Sequence, residues 1–129
     1  LLARAIQFFT PGIPQVYYVG LLAGENDLEL LEKTKVGRNI NRHYYSLEEA
    51  EQEMERPVVK RLFELMRFRN SYPAFDGEFS VEALGESGLR MGWKEGEHEA
   101  ILQCDLQSHT FSISYWDQKT GQKKALALS

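Results

Sequence analysis

The hydrophobic period of this chain changes near Phe75, and that change limits the folds open to it. Upstream, apolar residues recur at helical spacing or in one short continuous run. Downstream they alternate: Phe79, Val81 and Ala83; Leu89, Met91 and Trp93; Ala100, Leu102, Cys104 and Leu106; Phe111, Ile113 and Tyr115. Successive strand residues point to opposite faces, so each group marks one apolar face of a strand. Turn residues separate the groups at Gly85–Gly88, Glu95–Glu97, Gln107–His109 and Asp117–Gly121. A last run, Lys123 to Leu128, alternates less cleanly. Residues 75–129 therefore predict an antiparallel meander with one apolar face against the preceding helix.

Residues 1–74 follow other rules. Leu2, Ala5, Ile6 and Phe9 predict a helix that Thr10-Pro11-Gly12 breaks, because Pro cannot continue a helix and Gly supplies the turn. Residues 13–19 are almost continuously apolar and rich in β-branched and aromatic types, with Gln15 the one polar residue. That composition predicts a strand buried on both faces, as in a parallel sheet. A long polar connection then runs from Gly20 to about Arg56. In it, Asn26 is the expected N-cap of a short helix, Asp27 to Thr34, with Asp27 and Glu29 as first-turn acids. Ser46 and Glu49 have capping-box spacing for a second helix. Pro57 opens the main helix, where Val58, Val59, Leu62, Phe63, Leu65, Met66 and Phe68 form a buried stripe; Asn70 and Pro73 end it.

A strand followed by more than about 30 residues before its helix is unusual, since such connections run about 2–6 residues. Long connections of this kind build active sites at the C-terminal mouth of a (β/α)8 barrel. The expected architecture is therefore α/β plus all-β. Residues 1–74 hold the last strand, long loop and last helix of a (β/α)8 barrel; residues 75–129 form a small antiparallel β-sheet domain.

The formal charge of −4 argues against a general nucleic-acid binder and against a polybasic membrane anchor. No apolar run reaches about 18 residues, so no membrane-spanning helix is expected. The single cysteine, Cys104, forms no intrachain disulfide, which fits a reducing compartment without requiring one. The start, Leu1-Leu2-Ala3-Arg4-Ala5, reads as the middle of a helix, so the chain is expected to begin inside a longer protein.

Within the long connection, Gly37–Tyr45 packs two arginines, two asparagines, a histidine and two tyrosines into nine residues. Such a concentration of polar groups suits a sugar or phosphate site and not a core. Arg38 has suitable chemistry, because guanidinium offers five donors in a fixed fork that matches vicinal hydroxyls and a carboxylate together, but spacing alone favours a surface arginine or one that braces the loop. Arg42 and His43 are expected to brace the loop through backbone carbonyls. Tyr44 and Tyr45 are expected to pack on the last helix in preference to stacking on a sugar. Glu48, Glu49, Glu51, Glu53 and Glu55 read as a solvated helix face. Trp93 and Trp116 sit in alternating strands, which favours packing over a carbohydrate surface. His98 and His109 share no metal-ligand spacing with Cys104.

Phe8-Phe9-Thr10-Pro11-Gly12-Ile13-Pro14-Gln15-Val16-Tyr17-Tyr18-Val19-Gly20 resembles the eighth barrel strand of the α-amylase superfamily. Leu21–Asp27, Gly37–Tyr45 and Arg56-Pro57-Val58-Val59-Lys60 narrow the resemblance to its sucrose phosphorylase group; Phe68-Arg69-Asn70 and Ala74–Gly77 extend it. The resemblance is close over residues 1 to about 80 and rests on pattern alone beyond. It implies a cytoplasmic glycosyltransferase with small-molecule substrates (sucrose, phosphate, glucose 1-phosphate and fructose) and neither cofactor nor metal. A carboxylate would displace fructose, and phosphate would then take the glucosyl unit with net retention. Close relatives in the group act instead on sucrose 6-phosphate, glucosylglycerate or glucosylglycerol. The nucleophile, acid/base and acceptor-site residues of such enzymes lie on upstream segments, so this stretch alone is expected to be inactive. Arg38 is the residue that carries over: it occupies the position that helps hold the glucosyl unit, paired with an aspartate from early in the barrel. The competing expectation is a non-catalytic carbohydrate-binding or interaction module.

Overall fold

A computed structural model describes residues 1–128. Cα proximity divides it into two compact units, one formed by residues 1–14 with 63–128 and the other by Gln15–Leu62.

The first unit is built on a five-stranded antiparallel sheet. Its strands, β1 (Glu78–Leu84), β2 (Gly88–Glu95), β3 (His98–Asp105), β4 (Thr110–Asp117) and β5 (Gln122–Ala125), lie side by side in chain order. The alternation read from the sequence sets the register. Trp93 faces Ala100, Met91 faces Leu102, and Leu102 faces Ile113, so one face carries a continuous apolar stripe. Gly96 turns the β2–β3 hairpin at φ +56, a conformation that other residues adopt only with strain. The final strand stops at Ala125, short of the expected Leu128, and all four of its residues are exposed.

Helix α1 (Leu2–Phe9) buries Ala5, Phe8 and Phe9. It covers the stripe: the Phe9 ring meets Phe75 edge-on at 5.2 Å, and the Trp93 indole N–H donates to the Phe9 carbonyl over 2.7 Å. A buried Trp requires such an acceptor, because an unpaired N–H away from water costs free energy. The C-terminal part of helix α5 (Pro57–Ser71) adds Phe68, which contacts Phe75 at 5.6 Å and Tyr115 at 5.4 Å. Trp93 is thus core, as its strand position implied. Trp116 lies on β4 with 37% of its surface exposed.

Residues 13–17 carry no regular structure, and in the second unit Tyr18–Leu21 form a short helix, α2. This corrects the strand expected over residues 13–19. The apolar composition there is strand-like, but a strand exists only through ladder partners, and none of the described residues supplies a parallel neighbour. The backbone at Tyr17 is still extended (φ −73, ψ 149), and Ile13 is 92% exposed.

Helix α3 (Leu28–Thr34) begins one residue later than expected, with Asp27 as its N-cap in place of Asn26. A 3₁₀ stretch, Gly37–Asn41, follows. Helix α4 (Leu47–Met54) opens on the expected capping box. Ser46 Oγ accepts from the Glu49 N–H, and the Glu49 carboxylate accepts from the Ser46 N–H. Pro57 stands at the first position of α5, where its missing N–H costs nothing.

Candidate functional site

The polar segment Gly37–Tyr45 is held in place by the start of α3. Asp27 does three things at once. Its main-chain N–H donates to the Ile40 carbonyl (2.6 Å), its Oδ1 accepts from the Leu30 N–H (2.8 Å), and its Oδ2 lies 2.9 Å from His43 Nδ1. The Leu30 N–H, and after it the His43 ring, hold the Asp27 carboxyl below the usual carboxylate range. An ionised carboxylate only accepts, so the proton of this pair sits on His43 Nδ1.

His43 is fixed on two further sides. Its carbonyl accepts from the Tyr18 hydroxyl (2.9 Å), and its ring meets Tyr45 edge-on at 4.6 Å. His43 does brace the loop as expected, but its ring does so through a carboxylate and not a carbonyl. Tyr45 is half-buried on His43 and Tyr18, and burial pushes its hydroxyl pKa up. Tyr44 is 75% exposed, so it does not make the packing contact expected of it. At the far end of α3, the Asn39 amide donates to Thr34 Oγ1 (3.0 Å).

Arg38 lies inside the 3₁₀ stretch with its side chain exposed. Arg42, one residue past the stretch, is half-buried. Beside the braced segment is an open cleft of about 650 Å³, lined among others by Gly24, Asp27, His43, Tyr45, Glu53 and Arg56. Arg56 donates to the carbonyls of Ala23 (3.4 Å) and Leu22 (3.5 Å) and pairs with Glu53. Glu53 is therefore not simply part of a solvated face. A Cβ at Gly24 would collide with the Tyr45 hydroxyl, so a larger residue there would displace that side chain. The roles of Asp27, Glu53 and Arg56 escape a reading of local sequence; only the dense polar run from Gly37 onward signals the neighbourhood.

In the sheet unit, the His98 and Gln118 side chains meet at 3.0 Å, and His109 is exposed in a turn at φ +56. Among the described residues, no group of three or more His, Cys, Asp and Glu is placed to hold a metal ion. No described helix is long and apolar enough to cross a membrane.

No family model matches the chain. Whole-protein comparisons are decisive. The chain is 55% identical over 124 residues to the glucosylglycerol phosphorylase of Marinobacter adhaerens, covering 96% of this chain and 26% of that protein. It is 60% identical over 114 residues to the sucrose phosphorylase of Agrobacterium vitis, covering 88% of this chain and 23% of that protein. The chain belongs to the sucrose phosphorylase family. The crystal structure of the sucrose 6F-phosphate phosphorylase from Thermoanaerobacter thermosaccharolyticum superposes with a TM-score of 0.92 at 50% identity, covering 97% of this chain and 25% of that one. The chain thus spans about a quarter of the family members it matches, as a C-terminal portion. Its five-stranded sheet and helices are the fold that this portion takes in the family.

Proposed function

We propose that this chain is the C-terminal part of a retaining glucosyl phosphorylase that moves glucose from sucrose to phosphate, giving α-D-glucose 1-phosphate and fructose. Identity of 52–60% to several phosphorylases of sucrose, sucrose 6-phosphate and glucosylglycerol carries the reading. In the whole protein, residues 1–74 complete a (β/α)8 barrel, and residues 75–129 form the sheet that packs on α1 and the end of α5. The extended, exposed residues ahead of α2 suit a strand whose neighbours lie upstream. Arg38 grips the glucosyl unit: its exposed guanidinium is carried on a braced 3₁₀ stretch, and its donors match sugar hydroxyls. The nucleophile and the acid/base come from upstream segments, so this stretch alone turns nothing over.

A second reading of the acceptor follows from the 55% identity to a glucosylglycerol phosphorylase. All these donors share the glucosyl unit, so the Arg38 assignment is common to both. The test is phosphate-dependent release of glucose 1-phosphate by the full-length protein from sucrose, sucrose 6-phosphate, glucosylglycerol and glucosylglycerate. Release from sucrose fastest of the four supports the first reading; release from none removes the phosphorylase assignment.

A further inference from the structure

We propose that the Asp27–His43 pair positions Arg38 for its sugar, an inference that rests on the donor-site role given to Arg38 above. Helix α3 acts as a bracket for the 3₁₀ stretch that carries this arginine. At its C-terminal end, Thr34 Oγ1 holds the Asn39 amide; at its N-terminal end, Asp27 holds Ile40 through the main chain and His43 through the carboxylate. Arg38 lies between, on five residues of tight helix with no capping side chain of their own. A 3₁₀ turn has poor hydrogen-bond geometry, so its orientation depends on what ties its ends.

Asp27 is the point where these ties converge. Its carboxylate spends one oxygen on the α3 N-terminus and the other on His43, so the ring orientation and the helix start are set by one group. His43 is held in turn by Tyr18 through its carbonyl and by Tyr45 through its ring. Removing the carboxylate leaves the main-chain tie to Ile40 but releases His43, just beyond the 3₁₀ stretch, and the cap of α3, which loosens the bracket that sets the direction of the guanidinium. Asp27 and His43 touch no substrate in this scheme; they act through Arg38. Orientation errors of about 1 Å at a binding group cost on the order of 100-fold in rate.

The experiment is a double-mutant cycle in the full-length enzyme, read as kcat/KM for phosphorolysis of the glucosyl donor it uses best, with active protein counted by its folded fraction. Asp27→Ala is expected to lower kcat/KM about 10- to 100-fold. Asp27→Asn keeps a cap acceptor and a polar partner for His43, so it recovers most of that loss. A merely structural Asp27 would show no preference of this kind once only folded protein is counted. In the Arg38→Ala background, Asp27→Ala has little further effect, because there is no guanidinium left to aim. Effects that multiply, or an Asp27→Ala enzyme with full kcat/KM, overturn the positioning role while Arg38 keeps its assignment. Full activity in Arg38→Ala alone overturns the Arg38 assignment first, and the positioning role with it. If Asp27→Ala does not fold, the same cycle with His43→Gln, which removes the Nδ1 donor, decides: non-additivity with Arg38→Ala supports the proposal, and additivity ends it.

Discussion

Trp93→Phe tests how α1 is fastened to the sheet. The wild-type indole N–H reaches the Phe9 carbonyl at 2.7 Å, and both residues are buried, Phe9 completely. Phenylalanine cannot donate, so the carbonyl loses its partner where water does not reach; an unsatisfied buried group costs about 1–3 kcal/mol. The smaller ring also gives up packing against Phe75 (6.0 Å) and Phe79 (5.2 Å), on the order of 1 kcal/mol for a partly collapsed gap. The sum, about 2–4 kcal/mol, corresponds to roughly a 30- to 1,000-fold rise in opening. Core amides exchange through such opening, so hydrogen exchange at the β3 amides of the full-length protein reads it directly. Trp116→Phe is the control. Trp116 is 37% exposed, and substitution of a surface residue stays within about 0.5 kcal/mol. Equal protection of β3 in the two variants would refute the claim that the indole hydrogen bond ties α1 down.

Two further outcomes follow from local geometry. Gly77→Ala places a methyl group against the Lys94 main-chain carbonyl, which cannot swing aside, and should destabilise the sheet unit by about 1–3 kcal/mol in the same exchange measurement. The Asp105 carboxyl is held below its usual range by the Ser108 N–H, then the Ser87 hydroxyl, with the Gln107 N–H adding to them. A group whose pKa is depressed on folding stabilises above its unfolded value, near 4, and loses that contribution as pH falls through the folded value. The gap in unfolding midpoint between wild type and Asp105→Asn should therefore shrink from pH 6 to pH 3; a constant gap would contradict it.

The elements legible in the sequence are those fixed by neighbours within a few residues. Ser46 and Glu49 make their capping box three positions apart, Pro57 sits where a proline belongs, and the alternation after Phe75 yields β1 to β4, with the apolar stripe buried on β2 to β4 while Val81 and Ala83 of β1 are exposed. The misreadings have equally physical causes. Residues 13–19 have strand composition, but a ladder needs partners that the described residues do not contain. Asn26 and Asp27 are both good caps, and Asp27 wins because its second oxygen can also reach His43, 16 positions along. No local pattern encodes that pairing. The same holds for Arg56, whose guanidinium reaches carbonyls 33 and 34 positions back. The polar run at Gly37–Tyr45 marks where to look; what braces it is a property of the fold.

The most direct measurement is phosphorolysis by the full-length protein with Arg38 and with Arg38→Ala. Wild type should release α-D-glucose 1-phosphate from sucrose only when phosphate is present. Loss of one or two charge-assisted hydrogen bonds, about 3 kcal/mol in total, should lower kcat/KM on the order of 100-fold, with unchanged thermal unfolding. Phosphate-independent turnover, or an Arg38→Ala enzyme as fast as wild type, would contradict the account.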